Sequence, residues 1–122
     1  MSAKVLIVDD SGLARRTTRR VLEAAGYHVI EAEDGLTALE HYFVDKPDVV
    51  LLDLVMRGMY GLDVLTKLRE MNTDAKVIVI SADIQTTSRE MVEKAGAAGF
   101  LNKPAKPEDV VAAIERALGA PE

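Results

Sequence analysis

The chain has 122 residues, the size of one ordinary domain, and it has no cysteine, which excludes a disulfide framework and a thiolate site. Its formal net charge of −5 argues against a nucleic-acid binder, since such proteins usually carry a basic stripe or domain. No apolar run approaches the roughly 18 residues of a spanning helix, and the N-terminus MSAKVLIVDD has charges where a signal peptide would be apolar. We therefore expect a soluble, cytoplasmic, single-domain protein over residues 1–122 that contacts no membrane.

Apolar segments typical of strands alternate five times with amphipathic segments typical of helices. The strands are aliphatic or β-branched and are bounded by turn residues, and the apolar positions of the helices recur every three and four residues. In chain order the pattern predicts strands at 4–9, 27–32, 48–53, 76–81 and 99–103, and helices at 12–25, 35–45, 61–71, 84–95 and 107–118. Gly26 and Gly96 stand just past helix ends as C-caps, and Pro107 stands in a first helical turn.

The predicted strands are apolar on both faces, which indicates a parallel sheet covered by helices on each side. Right-handed crossovers leave few topologies for such a sheet. We predict an α/β fold with a five-stranded parallel sheet, doubly wound in the flavodoxin-like strand order 2-1-3-4-5. Ligands of such folds bind at the carboxyl ends of the strands, near the switch point between strands 1 and 3.

Polar side chains are confined to that end of the predicted sheet. Strand 1 ends in Asp9 and Asp10, strand 3 ends in Asp53, strand 4 ends in Ser81, and strand 5 runs into Lys103. Because strand 3 is central in the predicted order, Asp53 should lie between the acidic pair and the hydroxyl. Asp53 taken alone is also compatible with a helix N-cap or a loop carboxylate, so the interpretation depends on the whole set.

Three carboxylates brought close together repel one another by roughly 4 kcal/mol per pair at an effective dielectric near 20, so they need a cation. Oxygen ligands without histidine or cysteine suit a hard ion such as Mg²⁺. An aspartate beside such a metal stays ionised and can act as a nucleophile that forms an aspartyl phosphate. Phosphoryl transfer needs mainly positioning and charge stabilisation, which Mg²⁺, the Lys103 ammonium and the Ser81 hydroxyl can supply.

Four motifs resemble the receiver domain of two-component response regulators: VDD after strand 1, LLDLVM at strand 3, ISAD at strand 4 and GFLNKP at strand 5. The resemblance extends from Lys4 to about Leu118. It implies that Asp53 is the phosphoacceptor, and that Asp9 and Asp10 bind Mg²⁺ together with Asp53.

The same resemblance implies roles for four further positions. The backbone carbonyl of Val55 is a further metal ligand, Ser81 is the switch hydroxyl, Phe100 is the switch aromatic, and Lys103 contacts the phosphate. A core aromatic is the alternative interpretation of Phe100, and a hydrogen bond that ends strand 4 is the alternative for Ser81. The resemblance also implies a cis peptide bond between Lys103 and Pro104.

In function, the resemblance implies a signalling switch rather than an enzyme, one that assists its own phosphorylation and dephosphorylation. A histidine kinase or a histidine phosphotransfer domain would donate the phosphoryl group. The face formed by helix 4, strand 5 and helix 5 would then bind a downstream protein, in chemotaxis or another pathway, and the chain is expected to be a monomer. Residues expected on or near that face are Ile84, Gln85, Met91 and 103–106.

The sequence departs from the family pattern at one position. Arg57 follows Met56 where the family usually has proline, so the loop after strand 3 lacks the stiffness that proline would give it. Ala82 is small, as the family requires for access of phosphate. Val55 and Asp83 occupy positions that tune the lifetime of the phosphoryl group in the family.

Helix 1 carries a basic stripe of Arg15, Arg16, Arg19 and Arg20. A solvated helix face is the favoured interpretation, ahead of a docking site for an acidic partner such as a kinase domain, with nucleic acid a distant third.

Two functions from other classes are compatible with parts of the pattern. A phosphohydrolase of the haloacid-dehalogenase kind would also form an aspartyl phosphate, but it carries a DxD motif, whereas Asp9 and Asp10 are followed by Ser11 and Gly12. A flavin-binding electron carrier would share the fold. It needs a hydroxyl-rich phosphate loop and aromatic residues around the ring, and only 4% of this chain is aromatic.

Overall fold

The computed structural model describes residues 3–56, 60–82 and 86–119. Strands and helices alternate along these residues. Their bounds are β1 Lys4–Val8, α1 Gly12–Ala24, β2 His28–Ala32, α2 Gly35–Asp45, β3 Val49–Asp53, α3 Gly61–Met71, β4 Val77–Ser81, α4 Thr86–Lys94, β5 Gly99–Asn102 and α5 Pro107–Ala117. The predicted elements are confirmed, and their ends agree to within one residue, apart from the start of the fourth helix. Residues 84 and 85, where the fourth helix was expected to begin, lie outside the described residues.

The five strands form one parallel sheet in the order β2-β1-β3-β4-β5, as predicted. The register places Val5 of β1 opposite Val49 of β3, and Val50 of β3 opposite Val77 of β4. Because the strands are parallel and in step, their carboxyl ends lie side by side along one edge of the sheet. The residue that follows or ends each strand is therefore brought to that edge.

The core has two layers, one on each side of the sheet. Side chains of α2, α3 and α4 pack on one face against alternate strand residues such as Leu6, Val50 and Leu52. Side chains of α1 and α5 pack on the other face against the intervening residues, such as Val5 and Leu51. Successive strand residues point to opposite faces, so a strand buried on both sides must be apolar throughout. This requirement explains the run of buried residues at the centre of β3, Val49–Leu52.

Local hydrogen bonds fix where the helices begin and end. The Ser11 hydroxyl accepts from the Ala14 N–H at the start of α1, and the Asp34 carboxylate accepts from the Thr37 N–H at the start of α2. That backbone hydrogen bond is the largest reason why the pKa of Asp34 is lowered. Gly26 and Gly96 have φ of 94° and 95°, which confirms them as helix-ending residues. Among the residues that the structure describes, no helix has the length and apolar character required to span a bilayer.

Candidate metal centre at the carboxyl edge of the sheet

Three carboxylates and one ammonium meet at the carboxyl edge of the sheet. Oxygen atoms of Asp9, Asp10 and Asp53 lie within 4.8 Å of one another. Lys103 Nζ lies 2.8 Å from Asp9 Oδ2 and 3.4 Å from Asp53 Oδ2. The structure thus brings together four of the side chains that the sequence placed at strand ends, although 94 positions separate Asp9 from Lys103 along the chain.

Backbone hydrogen bonds hold these residues at the ends of their strands. The Asp9 N–H donates to the Ala32 carbonyl, and the Lys103 N–H donates to the Ser81 carbonyl, so each extends the sheet pairing by one bond past its strand. Both residues were predicted to be the last residue of a strand, but they lie just outside β1 and β5. Asp53 is the last residue of β3 and stands opposite Ile80 of β4.

The carboxylates of Asp9 and Asp53 are nearly buried, with side chains 9% and 10% exposed. Each is held by a backbone N–H as well as by Lys103: Asp9 Oδ1 accepts from the Ser11 N–H, and Asp53 Oδ1 accepts from the Val55 N–H. Buried charges are tolerated when they are paired and hydrogen-bonded. Asp10 is exposed, so the cluster opens to solvent on its side.

Among the described residues, the cluster gathers three carboxylates and one ammonium, that of Lys103. Burial is the largest reason why the pKa of Asp53 is raised, and the charge of Asp9 adds to it, against the opposing effect of Lys103. Burial alone would lower the pKa of Lys103, but hydrogen bonds and charge from Asp9 and Asp53 outweigh it and raise that pKa. The raised pKa of Lys103 shows the negative field of the carboxylates around it, and a divalent cation would neutralise the charge that Lys103 leaves uncompensated.

The donor set fits a hard divalent cation. Its side-chain donors are carboxylate oxygens, the ligands that Mg²⁺ prefers over nitrogen or sulfur. Mg²⁺ commonly takes one or two carboxylates and keeps water or phosphate oxygens in its remaining positions. The exposed side of the cluster, at Asp10, leaves room for such ligands.

Ser81 lies on β4, and Phe100 lies on β5, the strand that runs into Lys103. Ser81 is the last residue of β4 and is fully buried. Phe100 on β5 stands opposite Val79 and is partly buried against the core layer that includes α4. The Arg89 guanidinium lies 5.7 Å from the centre of the Phe100 ring, within the range of a cation–π contact.

Other expectations have mixed outcomes. The peptide bond between Lys103 and Pro104 is cis, which confirms the expectation. Met91 is exposed on α4. Arg57, Asp83, Ile84 and Gln85 lie outside the described residues.

The favoured interpretation of the basic stripe on α1, a solvated face, is wrong for Arg15, whose side chain is only 17% exposed. Arg16 and Arg20 are exposed, and Arg19 is 42% exposed, whereas Arg15 is largely buried. Both Arg15 and Arg19 form ion pairs with Glu31 of β2. Arg15 also donates a hydrogen bond to the Asp9 carbonyl. The spacing of arginines on one helix gives no signal for this contact, because the partner lies on a different element.

Gly61 sets the position of the chain after β3. Its N–H donates to the Leu54 carbonyl, and a Cβ at this position would lie 2.6 Å from the Asp53 carbonyl oxygen and 2.6 Å from Leu54 Cα. Those atoms belong to the backbone and cannot rotate away, so any larger residue must displace the end of β3.

We expect Gly61→Ala to lower the free energy of unfolding by about 2 kcal/mol, in the range of other overpacking substitutions. Gly12→Ala is the matched control, because Gly12 also begins a helix and the nearest atom to its Cβ is the movable end of the Arg16 side chain, at 3.3 Å. The control should stay within about 0.5 kcal/mol of wild type in urea denaturation. Equal losses in the two variants would contradict the close approach at Gly61.

Comparisons with known proteins agree with this architecture. The family model of the response regulator receiver domain matches residues 5–115. The chain is 38% identical over 117 residues to the chemotaxis protein CheY of Thermotoga maritima, and the aligned region covers 95% of this chain and 98% of that protein. It is 36% identical over 118 residues to the response regulator MprA of Mycobacterium ulcerans, and there it spans only 51% of the relative's length.

Solved structures show the same likeness. A CheY-like response regulator receiver domain protein from Methanospirillum hungatei superimposes with a TM-score of 0.92 at 25% identity, covering 97% of this chain and 94% of that one. The fold and the acidic edge of the sheet together define a signalling domain of the two-component class. The chain belongs to the response regulator receiver domain family. The resemblance found in the sequence motifs and the predicted flavodoxin-like fold are therefore confirmed.

Receiver domains are signalling switches that bind Mg²⁺ in an acidic pocket, and the Asp9, Asp10 and Asp53 cluster is suited to hold such an ion. Neither of the alternative classes, the phosphohydrolase and the flavin-binding electron carrier, is the family that matches.

Proposed function

We propose that this chain is a phosphoacceptor switch in which Asp53 receives a phosphoryl group from a histidine kinase or a histidine phosphotransfer domain. The observation that carries the proposal is the position of Asp53, which ends the central strand with Lys103 Nζ 3.4 Å away and the carboxylates of Asp9 and Asp10 beside it. A nucleophilic carboxylate flanked by a cation and a metal site is the arrangement that phosphoryl transfer requires.

Each member of the cluster has a proposed role. Asp9, Asp10 and Asp53 hold Mg²⁺, with the backbone carbonyl of Val55 as a further ligand. An ion held there would supply positive charge that stabilises the phosphoryl oxygens during transfer. An oxygen of Asp53 bonds to phosphorus while the bond from phosphorus to the donor histidine nitrogen breaks, and the electron pair of that bond stays on the imidazole.

Lys103 contributes the fixed positive charge of the site. Its ammonium already bonds to Asp9 and Asp53, so it is held where a phosphoryl group on Asp53 would need it. We propose that it contacts that phosphoryl group and that Asp9 keeps it in place. The same groups would assist hydrolysis, so the domain would promote its own phosphorylation and dephosphorylation.

Phosphorylation is proposed to act through Ser81 and Phe100. The Ser81 hydroxyl would move toward the phosphoryl group, and Phe100 on the neighbouring strand would move into the space that Ser81 leaves. The burial of Ser81 and the partial burial of Phe100 against the layer that includes α4 support this coupling. The face formed by α4, β5 and α5 would change, because phosphate stabilises one of two existing states.

The output is proposed to be protein binding by a cytoplasmic, monomeric receiver domain that spans residues 1–122. A component of a chemotaxis pathway is one candidate for the bound protein, in line with the name of the Thermotoga maritima relative. A histidine phosphotransfer domain or the kinase itself is another. The net charge of −5 supports a protein partner rather than nucleic acid.

The test is the intact mass of the protein after incubation with Mg²⁺ and acetyl phosphate. Wild type should gain the mass of one phosphoryl group, and Asp53→Asn should gain none, because the amide cannot act as the nucleophile. Asp63→Asn is the matched control, since Asp63 is an exposed aspartate at the start of α3, and it should behave as wild type. An undiminished gain of mass in Asp53→Asn would remove Asp53 from its role.

We expect Asp10→Ala to weaken the binding of Mg²⁺ and so to raise the concentration of Mg²⁺ that this reaction needs. Asp10 supplies one of the three carboxylates whose oxygens lie within 4.8 Å of one another, so its loss removes a ligand and part of the negative charge. The affinity should fall by about tenfold or more, as it does when a metal site loses a supporting group. Calorimetric titration with Mg²⁺ measures this, and an unchanged affinity would count against the acidic pair.

A further inference from the structure

The backbone of Asp9 is held from outside the acidic cluster by Arg15. The Arg15 guanidinium donates one N–H to the Asp9 carbonyl and another, Nε–H, to Glu31 Oε1 at 3.1 Å. The second oxygen of Glu31 accepts from Arg19 Nη1 at 2.7 Å. A single arginine on α1 therefore connects the residue after β1 to a side chain on β2.

The ion pair between Arg15 and Glu31 is more buried than an ordinary surface ion pair. The side chains of Arg15 and Glu31 are 17% and 24% exposed, whereas those of the neighbouring pair Arg19 and Glu23 are 42% and 50% exposed. Exposed pairs contribute little, but a planar guanidinium that makes two charge-assisted bonds at a partly buried position fixes geometry. Glu31 is held by two arginines, so it gives Arg15 a fixed anchor.

The bond to the Asp9 carbonyl has a consequence for Asp10. The carbonyl of Asp9 and the N–H of Asp10 belong to one planar peptide group, so holding the carbonyl sets the direction in which the chain leaves Asp9. The N–H of Asp9 is already fixed by the Ala32 carbonyl at 3.2 Å. Asp10 is the next residue, beyond the end of β1, so the direction of this peptide group helps to set its position.

We infer that Arg15 is a positioning residue for the metal site, which keeps the carboxylates of Asp9 and Asp10 at the spacing that a divalent cation requires, with Glu31 as its anchor. The inference rests on the proposed function, since it assigns a role toward the Mg²⁺ of that site. Arg15 itself has its hydrogen bonds to the Asp9 carbonyl and Glu31 and is not a ligand.

Whether replacing Arg15 strengthens or weakens Mg²⁺ binding distinguishes a positioning role from a purely electrostatic one. A positive charge close to an acidic cluster repels a metal cation, so removing the charge of Arg15 would by itself strengthen binding of Mg²⁺. Loss of a positioning contact weakens binding instead, because the carboxylates no longer have the required spacing. Partners of metal ligands typically change affinity by about 10- to 100-fold.

The experiment is a calorimetric titration with Mg²⁺ on wild type, Arg15→Met, Arg15→Lys and Arg16→Met. Arg15→Met should bind about tenfold more weakly than wild type. Arg15→Lys should lie between the two, because lysine retains a donor for the carbonyl but lacks the planar fork that also reaches Glu31. Arg16→Met is the charge-matched control on an exposed side chain of the same helix, and its affinity should stay within about twofold of wild type.

A second measurement guards against a general loss of structure. In phosphorylation by acetyl phosphate, Arg15→Met should need about tenfold more Mg²⁺ to reach half its maximal rate, while the rate at saturating Mg²⁺ stays near that of wild type. Should Arg15→Met fail to fold, Arg15→Lys decides, and a weakened affinity supports the inference.

Equal or tighter binding in the folded Arg15 variants would overturn the inference, as would an equal loss in Arg16→Met. Failure of the proposed function has a different signature: wild type would bind no Mg²⁺, or Asp10→Ala would bind as tightly as wild type. If those two behave as proposed and Arg15→Met matches wild type, only the role of Arg15 is lost.

Discussion

Replacing Lys103 with methionine is expected to lower the free energy of unfolding of the metal-free protein by about 3 kcal/mol. Lys103 Nζ bonds to Asp9 and Asp53, whose side chains are only 9% and 10% exposed. Methionine fills similar volume but leaves two nearly buried carboxylates facing each other without a cation. Breaking one side of a buried ion pair usually costs about 3 to 5 kcal/mol, and the partial exposure of Lys103 places this case at the low end.

Urea denaturation in the presence of a chelator measures this loss. Repeating it with saturating Mg²⁺ should recover part of the stability, because the ion replaces the missing positive charge and binds only the folded state. Lys67→Met is the matched control: it removes an exposed lysine from α3 and should change the stability by less than about 0.5 kcal/mol. Equal effects of the two substitutions would show that Lys103 does not neutralise the cluster.

Asp53→Asn is expected to make the metal-free protein more stable than wild type at neutral pH, by on the order of 1 kcal/mol. The pKa of Asp53 is raised by burial and by the charge of Asp9, despite Lys103, so the folded state disfavours the ionised form. Asparagine has the same shape and no charge. It removes that cost while Asp9 remains as a partner for Lys103.

The dependence on pH follows from the direction of the shift. Because the pKa of Asp53 is higher in the folded state than in the unfolded chain, its favourable contribution is fully present below the ordinary aspartate pKa, about 3.9, and is lost as the pH rises through the folded-state value. The stability gap between Asp53→Asn and wild type should therefore be small in acid, widen with rising pH and then become constant. Urea denaturation in the presence of a chelator measures this difference in stability. A difference that narrows as the pH rises would contradict the claim that the buried charge of Asp53 destabilises the folded state.

Much of the fold could be predicted because the pattern of apolar residues in each strand shows whether its two faces are buried. The run Val49–Leu52 is apolar at every position. A strand needs this pattern when helices cover both of its faces, and β3 is indeed the central strand. Short crossovers then restrict the strand order, and the order determines which strand ends are neighbours. The proximity of Asp9, Asp53 and Lys103 follows from topology alone, without knowledge of any side-chain conformation.

The contacts that were missed depend on angles between elements. Four arginines on one side of α1 have the pattern of a solvated face, and the sequence does not reveal that Arg15 and Arg19 lean onto β2. The sequence of β2 gives a partial signal for this contact. Glu31 is a charged residue in a strand whose other positions are mostly apolar, which suggests that it has a partner. Identifying its partner would still require the packing angle of α1 on the sheet.

The close approach at Gly61 was missed for a similar reason. A glycine at the start of a helix has many explanations, including a turn or an N-terminal cap, and the 2.6 Å distances to the backbone of Asp53 and Leu54 appear only in three dimensions. Single-sequence patterns indicate which residues are buried or polar. They do not indicate which backbone segments touch.

The central claim is that Asp53, alone among the aspartates gathered at the sheet edge, carries the phosphoryl group. Reduction with borohydride converts an aspartyl phosphate to homoserine, so peptide mapping after reduction of the phosphorylated protein locates the modified residue. We expect homoserine at position 53 only, and only when Mg²⁺ is present during phosphorylation. Homoserine at position 9 or 10, or the same yield at position 53 in the presence of a chelator, would contradict the claim.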